Sequence, residues 1–406
     1  MPFKFVDGGV CAAKGFAAGG VHCGIRKNKE KKDLAMIYSK APCAAAAVYT
    51  QNKVKGAPIA VTRAHIANGY AKAVLCNSGN ANTCNADGEY IANAMCESAA
   101  QALGIAEDDI VIASTGVIGQ PLPLAPITGA MGKLVGALSE NGSADAAEAI
   151  MTTDTKRKEI AVRFEIGGKI ASVGGIAKGS GMIHPNMATM LCFVTSDVAI
   201  APAMLQKACK EVADETFNMI SVDGDTSTND MLTVLANGQA GNVQIDCENG
   251  DYFKFVEALT IVCRTLSKEL AGDGEGASKL LECTVSGAPD KATARTVAKA
   301  VICSSLFKTA MFGADANWGR ILCAIGYADA AFDIGKVDVW FASSKGKIAV
   351  CKNGTGIDFS EEKAKEILLE SEIQTLIEMN QGSETATAWG CDLTYEYVRI
   401  NGDYRT

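Results

Sequence analysis

The residues most able to do chemistry together occupy Lys178-Gly179-Ser180-Gly181-Met182-Ile183-His184-Pro185-Asn186-Met187-Ala188-Thr189-Met190-Leu191-Cys192-Phe193. A glycine-rich turn passes through Pro185 into an apolar run, with Ala188-Thr189 at the junction. Taken alone, Thr189 reads as a β-branched residue opening a strand. Its hydroxyl becomes a useful nucleophile only with a base beside it. His184 has no visible partner for that task and reads as a loop residue. A second candidate is Asp223-Gly224-Asp225-Thr226-Ser227, which follows the apolar Met219-Ile220-Ser221-Val222. Two carboxylates so spaced can hold Mg²⁺ or attack phosphorus, or simply form a hydrogen-bonded acidic turn.

Other motifs fail their context. Gly272-Asp273-Gly274-Glu275-Gly276-Ala277 fits G-x-G-x-x-A. It follows the helix-like Val256 to Leu270 and leads into the strand-like Leu280 to Val285, the reverse of a dinucleotide fingerprint. No P-loop pattern exists, and Lys178 stands where a G-x-S-x-G elbow around Ser180 needs glycine. The 15 cysteines run from Cys11 to Cys391 without a Cys-x-x-Cys pair, and the histidines are only His22, His65 and His184. That distribution suits reduced, buried cysteines better than zinc ligands or a disulfide scaffold.

These candidates must be positioned by alternating strands and helices, the pattern of an α/β protein. Ala73 to Cys76 reads as a buried strand entering the loop Asn77-Ser78-Gly79-Asn80-Ala81-Asn82. A helix from about Asp87 to Leu103 follows, stopped by Gly104. Ile110 to Ala113 is a second buried strand, entering Ser114-Thr115-Gly116. Pro202 opens a helix reaching about Ala213. The apolar spacing predicts another helix from Ala294 to Leu306. Val337 to Phe341 and Ile348 to Cys351 read as paired strands with Asn353-Gly354 as a turn. Ser360 caps a helix. Cys391, Leu393, Tyr395 and Tyr397 alternate with polar residues, as a half-buried strand would.

Composition narrows the function. The chain has 406 residues, 38 Lys and Arg against 46 Asp and Glu, and a net charge of -8. An acidic chain is poorly suited to nucleic acid or an anionic membrane. No apolar run reaches the ~20 residues of a spanning helix. The start, Met1 to Asp7, lacks the basic region and apolar core of a secretory signal.

Several segments, in order, resemble the ornithine acetyltransferase family, the N-acetylglutamate-forming enzymes of arginine biosynthesis. They are Lys14-Gly15-Phe16, Asn77 to Asn82, Ser114-Thr115-Gly116-Val117-Ile118-Gly119, Met151-Thr152-Thr153-Asp154-Thr155 and Lys178 to Leu191. The series continues with Ser221 to Asp230, Gly272 to Ala277, Gly313-Ala314-Asp315-Ala316-Asn317-Trp318-Gly319-Arg320, and Asn401 to Thr406. The resemblance implies an α/β fold with stacked β-sheets between helical layers, and a smaller C-terminal α/β region at about 287–390. It implies self-cleavage between Ala188 and Thr189, giving an α chain 1–188 and a β chain 189–406 that begins with the nucleophile Thr189. The freed α-amine has a reference pKa of ~7.7 to 8.0, so it can take the hydroxyl proton near neutral pH.

By the same resemblance, the Thr115 hydroxyl and Gly116 N–H form the oxyanion hole. Thr152, Lys178, Thr189, Glu275, Asn401 and Thr406 bind substrate. Charge pairs Lys178 with a carboxylate and Glu275 with an ammonium group. Asn80 and Asp225 stand as surrounding groups. The implied reaction moves acetyl from N2-acetylornithine to glutamate, with acetyl-CoA a donor in some relatives. It needs no metal or redox cofactor. The implied particle has two α and two β chains and is cytoplasmic. Three rivals stay open: an autoprocessed aminopeptidase or amidohydrolase of similar fold, a Mg²⁺-dependent phosphotransfer enzyme built on Asp223 and Asp225, and a non-enzymatic metal or redox protein.

Overall fold

Apolar runs of the sequence pair into two mixed sheets. The computed structural model describes residues 2–184 and 190–403, so Ala188, Thr189 and Thr406 lie outside the described residues. In chain order the strands are β1 (Lys4–Val6), β2 (Phe16–Val21), β3 (Leu34–Tyr49), β4 (Tyr70–Asn80), β5 (Ile110–Val117), β6 (Lys158–Ile166), β7 (Lys169–Lys178) and β8 (Leu191–Ser196). They continue as β9 (Ile220–Ser221), β10 (Met231–Ala236), β11 (Leu280–Ala288), β12 (Asp338–Ser343), β13 (Gly346–Lys352), β14 (Thr355–Gly356), β15 (Glu372–Glu378) and β16 (Glu384–Cys391). The helices are α1 (Ala57–His65), α2 (Gly88–Leu103), α3 (Leu124–Gly136), α4 (Ser143–Ile150), α5 (Pro202–Glu215) and α6 (Gly250–Gly272). After them come α7 (Lys291–Cys303), α8 (Ser305–Phe312), α9 (Trp318–Gly326), α10 (Glu361–Leu368) and α11 (Tyr395–Asp403).

Among the described residues the first sheet runs β1-β6-β7-β8-β10-β3-β4-β5, with β2 added to β3; the second runs β14-β13-β12-β15-β11-β16-β9. Helix α6 packs on β6 and β7 of one sheet and on β11 and β16 of the other. Its Leu259, Val262, Leu266 and Leu270 are fully buried. Each contributes about 1.5–3 kcal/mol by leaving water, which fixes the sheets on either side of the helix. A separate apolar cluster joins α2 and α3 to β4 and β5 of the first sheet.

Local chemistry sets the element ends. Gly104 stops α2 at φ 67, and Pro202 opens α5. The Ser360 side chain accepts from Lys363 N at the start of α10.

Three sequence expectations are corrected. The stretch from Asn77 is not loop throughout: β4 runs on to Asn80 because Asn77, Ser78 and Gly79 pair with Ser114, Thr115 and Gly116 of β5. The helix expected over 294–306 is two, because Ser304 leaves helical geometry and caps α8 by accepting from Phe307 N. The strands expected to pair at 337–341 and 348–351 do so as the β12–β13 hairpin, which turns where Ser343 faces Gly346. Asn353 and Gly354, at φ 50 and 69, make the following turn into β14. The alternation at 391–397 is not a strand: β16 ends at Cys391 and α11 begins at Tyr395. Thr394 accepts from Glu396 N, and Tyr395 and Val398 stay exposed, so no second face exists for a strand to bury.

Candidate active site

Strands β4 and β5 run parallel, and their C-terminal ends deliver Thr115 and Gly116 to a cavity of about 140 Å³. The end of β7 delivers Lys178, and the segment before β10 delivers Ser227, Thr228 and Asn229. Thr152, Glu275 and Asn401 complete the lining used below.

Gly116 sits at φ +135, and a Cβ there would stand 2.3 Å from the Gly79 carbonyl carbon. No side chain fits, so the backbone of this turn is held where two strand ends cross at close range. Beside it, the buried Lys178 Nζ donates to Thr115 Oγ1 at 3.3 Å. An ammonium only donates, so the Thr115 oxygen accepts and its own proton is free to turn toward the cavity. Burial pushes Lys178 below the ordinary lysine range, with the Asp154 carboxylate pulling the other way.

Asp154 anchors this wall. Its Oδ1 accepts from Lys158 Nζ at 2.7 Å and from Gly179 N at 2.6 Å, while Oδ2 accepts from Thr152 N at 2.9 Å. Burial raises its carboxyl, but Lys178 and Lys158 outweigh that and hold it at about 2. Lys158 Nζ also donates to Asp273 Oδ2 at 2.6 Å, and Thr155 donates to Asp273 through its backbone and hydroxyl. Ser180 Oγ donates to Asp273 O at 2.6 Å, and Glu275 N donates to Ser180 O at 3.0 Å. One buried Asp154–Lys158–Asp273 network therefore spaces Thr152, Lys178 and Glu275.

Opposite, Asn401 Nδ2 of α11 donates to Glu275 Oε2 at 2.7 Å. Helix α11 comes this close because Gly276, at φ +71, has no side chain: a Cβ there would lie 2.6 Å from Glu396 Cβ. Asn229 ties the remaining walls. Its Nδ2 donates to Ala81 O and Ser114 O, and its Oδ1 accepts from the Thr83 and Thr228 hydroxyls.

Thr115, Gly116, Thr152, Lys178, Glu275 and Asn401 thus line one cavity. Ala188, Thr189 and Thr406 lie outside the described residues. Leu191 pairs with Lys178 across β7–β8. Asn80 is occupied elsewhere, accepting from Asn82 N and donating to Gln120 O. Asp223 accepts from Met182 N, Ile183 N and Asp225 N, so it closes the turn before His184 as an acidic turn does. His184 Nδ1 lies 3.1 Å from Ser221 Oγ, and burial, then Lys299, push its imidazole down to about 4. All 15 cysteines are free thiols.

The sequence reading passed over Asp154, Asn229, Lys158 and Asp273. Asp154 and Asn229 stood inside segments already singled out, Met151 to Thr155 and Ser221 to Asp230. Asp273 likewise stood inside Gly272 to Ala277, while Lys158 stood in none; the contact that joins them spans 115 residues.

A model described as the ArgJ family matches residues 17–406. The arginine biosynthesis bifunctional protein ArgJ of Symbiobacterium thermophilum is 51% identical over 405 residues, covering 99% of this chain and 100% of that one. The protein of the same name from Bacillus subtilis is 47% identical over 403 residues, covering 99% and 97%. A crystal structure of the arginine biosynthesis bifunctional protein ArgJ from Bacillus halodurans is 46% identical, with a TM-score of 0.51, covering 53% of this chain and 100% of that one. With a match over nearly its whole length and half its residues shared with such relatives, this chain belongs to the ArgJ family.

Proposed function

We propose that this chain is a self-cleaving acetyltransferase of arginine biosynthesis that moves acetyl from N2-acetylornithine to glutamate. The observation that carries the reading is the meeting of Thr115, Gly116, Thr152, Lys178, Glu275 and Asn401, from five separate stretches, in one cavity. Cleavage between Ala188 and Thr189 yields chains 1–188 and 189–406. The solved Bacillus halodurans chain supports this, being covered in full by 53% of the present one.

The Thr189 hydroxyl attacks the acetyl carbonyl as its own α-amine takes the proton. The carbonyl oxygen becomes an oxyanion facing the Thr115 hydroxyl and Gly116 N–H. Collapse breaks the amide C–N bond, the proton passes to the leaving amine, and ornithine departs from an acetyl-threonine ester. The neutral amine of glutamate then attacks the ester. Its proton returns to Thr189 Oγ as N-acetylglutamate forms. Lys178 holds the α-carboxylate of either amino acid, and Glu275, steadied by Asn401, meets the side-chain ammonium of ornithine. Thr152 and Thr406 complete the substrate contacts. The route calls for no metal or redox group.

Two α and two β chains make the particle, and its setting is cytoplasmic. Among the described residues no helix is long and apolar enough to cross a membrane. Relatives are named bifunctional, and acetyl-CoA is proposed here as a second donor on that footing.

The test is acetyl transfer by the purified protein, with N-acetylglutamate and free acetate measured together. N-acetylglutamate should form in step with ornithine and be abolished by Thr189→Ala. Release of acetate in place of N-acetylglutamate would make the chain an amidohydrolase and end this reading.

A further inference from the structure

The segment Arg26-Lys27-Asn28-Lys29-Glu30-Lys31-Lys32 is a strongly basic patch in a chain of net charge -8. It forms the tip of the β2–β3 hairpin. Its base is rigid: the fully buried Asp33 carboxylate accepts from Cys23 N at 2.6 Å and from Arg26 N at 2.9 Å, and His22 Nδ1 lies 2.9 Å from Lys31 O. Lys32 is taken by Asp145 at 2.6 Å and Glu148 at 2.7 Å. Lys27, Lys29 and Lys31 are exposed and form no ion pair among the described residues.

This tip adjoins the cavity on two sides. The side chains of Ile25 and Arg26 pack over Gly79, the β partner of Gly116. The Arg26 guanidinium donates to Met151 O, next to the lining residue Thr152. Lys31 is five residues from Arg26, so the backbone of all three lysines lies within at most about 18 Å of the Arg26 backbone, before the reach of their side chains. Three uncommitted positive charges held at one rim of an acyl-transfer site suit a donor too large for a cavity of about 140 Å³ and anionic at its far end.

We propose that Lys27, Lys29 and Lys31 bind the phosphate groups of a nucleotide-type acyl thioester, the adenosine 3′-phosphate 5′-diphosphate end of acetyl-CoA, while its acetyl end reaches the cavity. This rests on the acetyl-transfer reading above. It adds where the second donor is held and which residues separate the two donors. Acetylornithine carries no phosphate and does not need the tip.

The test compares the processed enzyme with the triple variant Lys27→Glu, Lys29→Glu, Lys31→Glu, using each donor with glutamate. The KM for acetyl-CoA should rise at least about tenfold and lose most of its salt dependence, as expected when phosphate contacts are removed. The kcat/KM for acetylornithine should stay within about twofold, since exposed charges far from the reacting atoms contribute little. Coenzyme A, dephospho-coenzyme A and ADP as inhibitors of the acetylornithine reaction separate a site for the whole donor from one for any nucleotide. The proposal predicts inhibition falling in that order, and weakened for the variant. An unchanged KM for acetyl-CoA, an equal loss with both donors, or coenzyme A that binds neither protein by calorimetry would overturn it. Loss of the acetylornithine reaction in the unaltered enzyme would instead strike the functional reading. Coenzyme A titration of both proteins would still decide the tip.

Discussion

Asp154→Asn removes one carboxylate charge at constant size from the hub of the candidate site. The Asp154 carboxyl is held at about 2 against an ordinary 3.8; burial works against this, and Lys178 and Lys158 more than offset it. That gap corresponds to about 2 kcal/mol of folded-state stabilisation. The folded value lies below the unfolded one, so the contribution is complete above pH ~5 and fades as pH falls through 3.8 toward 2. The variant also leaves the fully buried Lys158 with the Asp273 carboxylate and the Lys156 carbonyl. Breaking a buried pair costs ~3–5 kcal/mol, and the surviving Asp273 contact puts the expected loss at the lower end, about 3 kcal/mol. Urea unfolding of the uncleaved Thr189→Ala chain, with and without Asp154→Asn, measures it at neutral pH. The difference should narrow as the pH is taken from about 5 to 3. In processed enzyme the same change strips Lys178 of its main opposing charge, so Lys178 loses its proton at lower pH. The KM for the amino-acid substrates should then begin to climb at a lower pH than in the unaltered enzyme. A stability loss under about 1 kcal/mol, combined with an unshifted KM–pH profile, would refute the hub.

Three further outcomes are expected. Intact mass under denaturing conditions should show fragments of 188 and 218 residues, allowing for loss of Met1; Thr189→Ser should still cleave, and cutting at another bond would remove Thr189 as nucleophile. Thr115→Ala, in properly cleaved protein, should lower kcat by ~10²- to 10³-fold if its hydroxyl serves the oxyanion; wild-type kcat would return it to a plain strand residue. Glu275→Gln should raise KM for acetylornithine more than for glutamate, and Asn401→Ala should do so more weakly by freeing the Glu275 carboxylate. Equal effects on both substrates would remove the ammonium contact.

The α/β class, the buried strand stretches 73–76 and 110–113, the helix closed by Gly104 and the cap at Ser360 were all legible from local pattern. Each depends on neighbours a few residues away: apolar runs, a left-handed glycine, a hydroxyl reaching its own helix. The stretches that line the cavity were picked out by family resemblance: read singly, Thr115-Gly116 is a turn after a strand, and Lys178 and Glu275 are ordinary solvated charges. What local pattern could not contain was which partners those stretches would meet. The alternation at 391–397 looked like a strand until the second sheet left its outer side chains in water and Gly276 admitted a helix in its place. The loop after Cys76 became strand because β5 arrived to pair with it. The Asp154–Lys158–Asp273 network needed α6 to bring Asp273 back across 115 residues to β6. A charge pair at that separation leaves no periodic trace in the chain; it exists only once the fold has removed the water that would otherwise have solvated each ion separately.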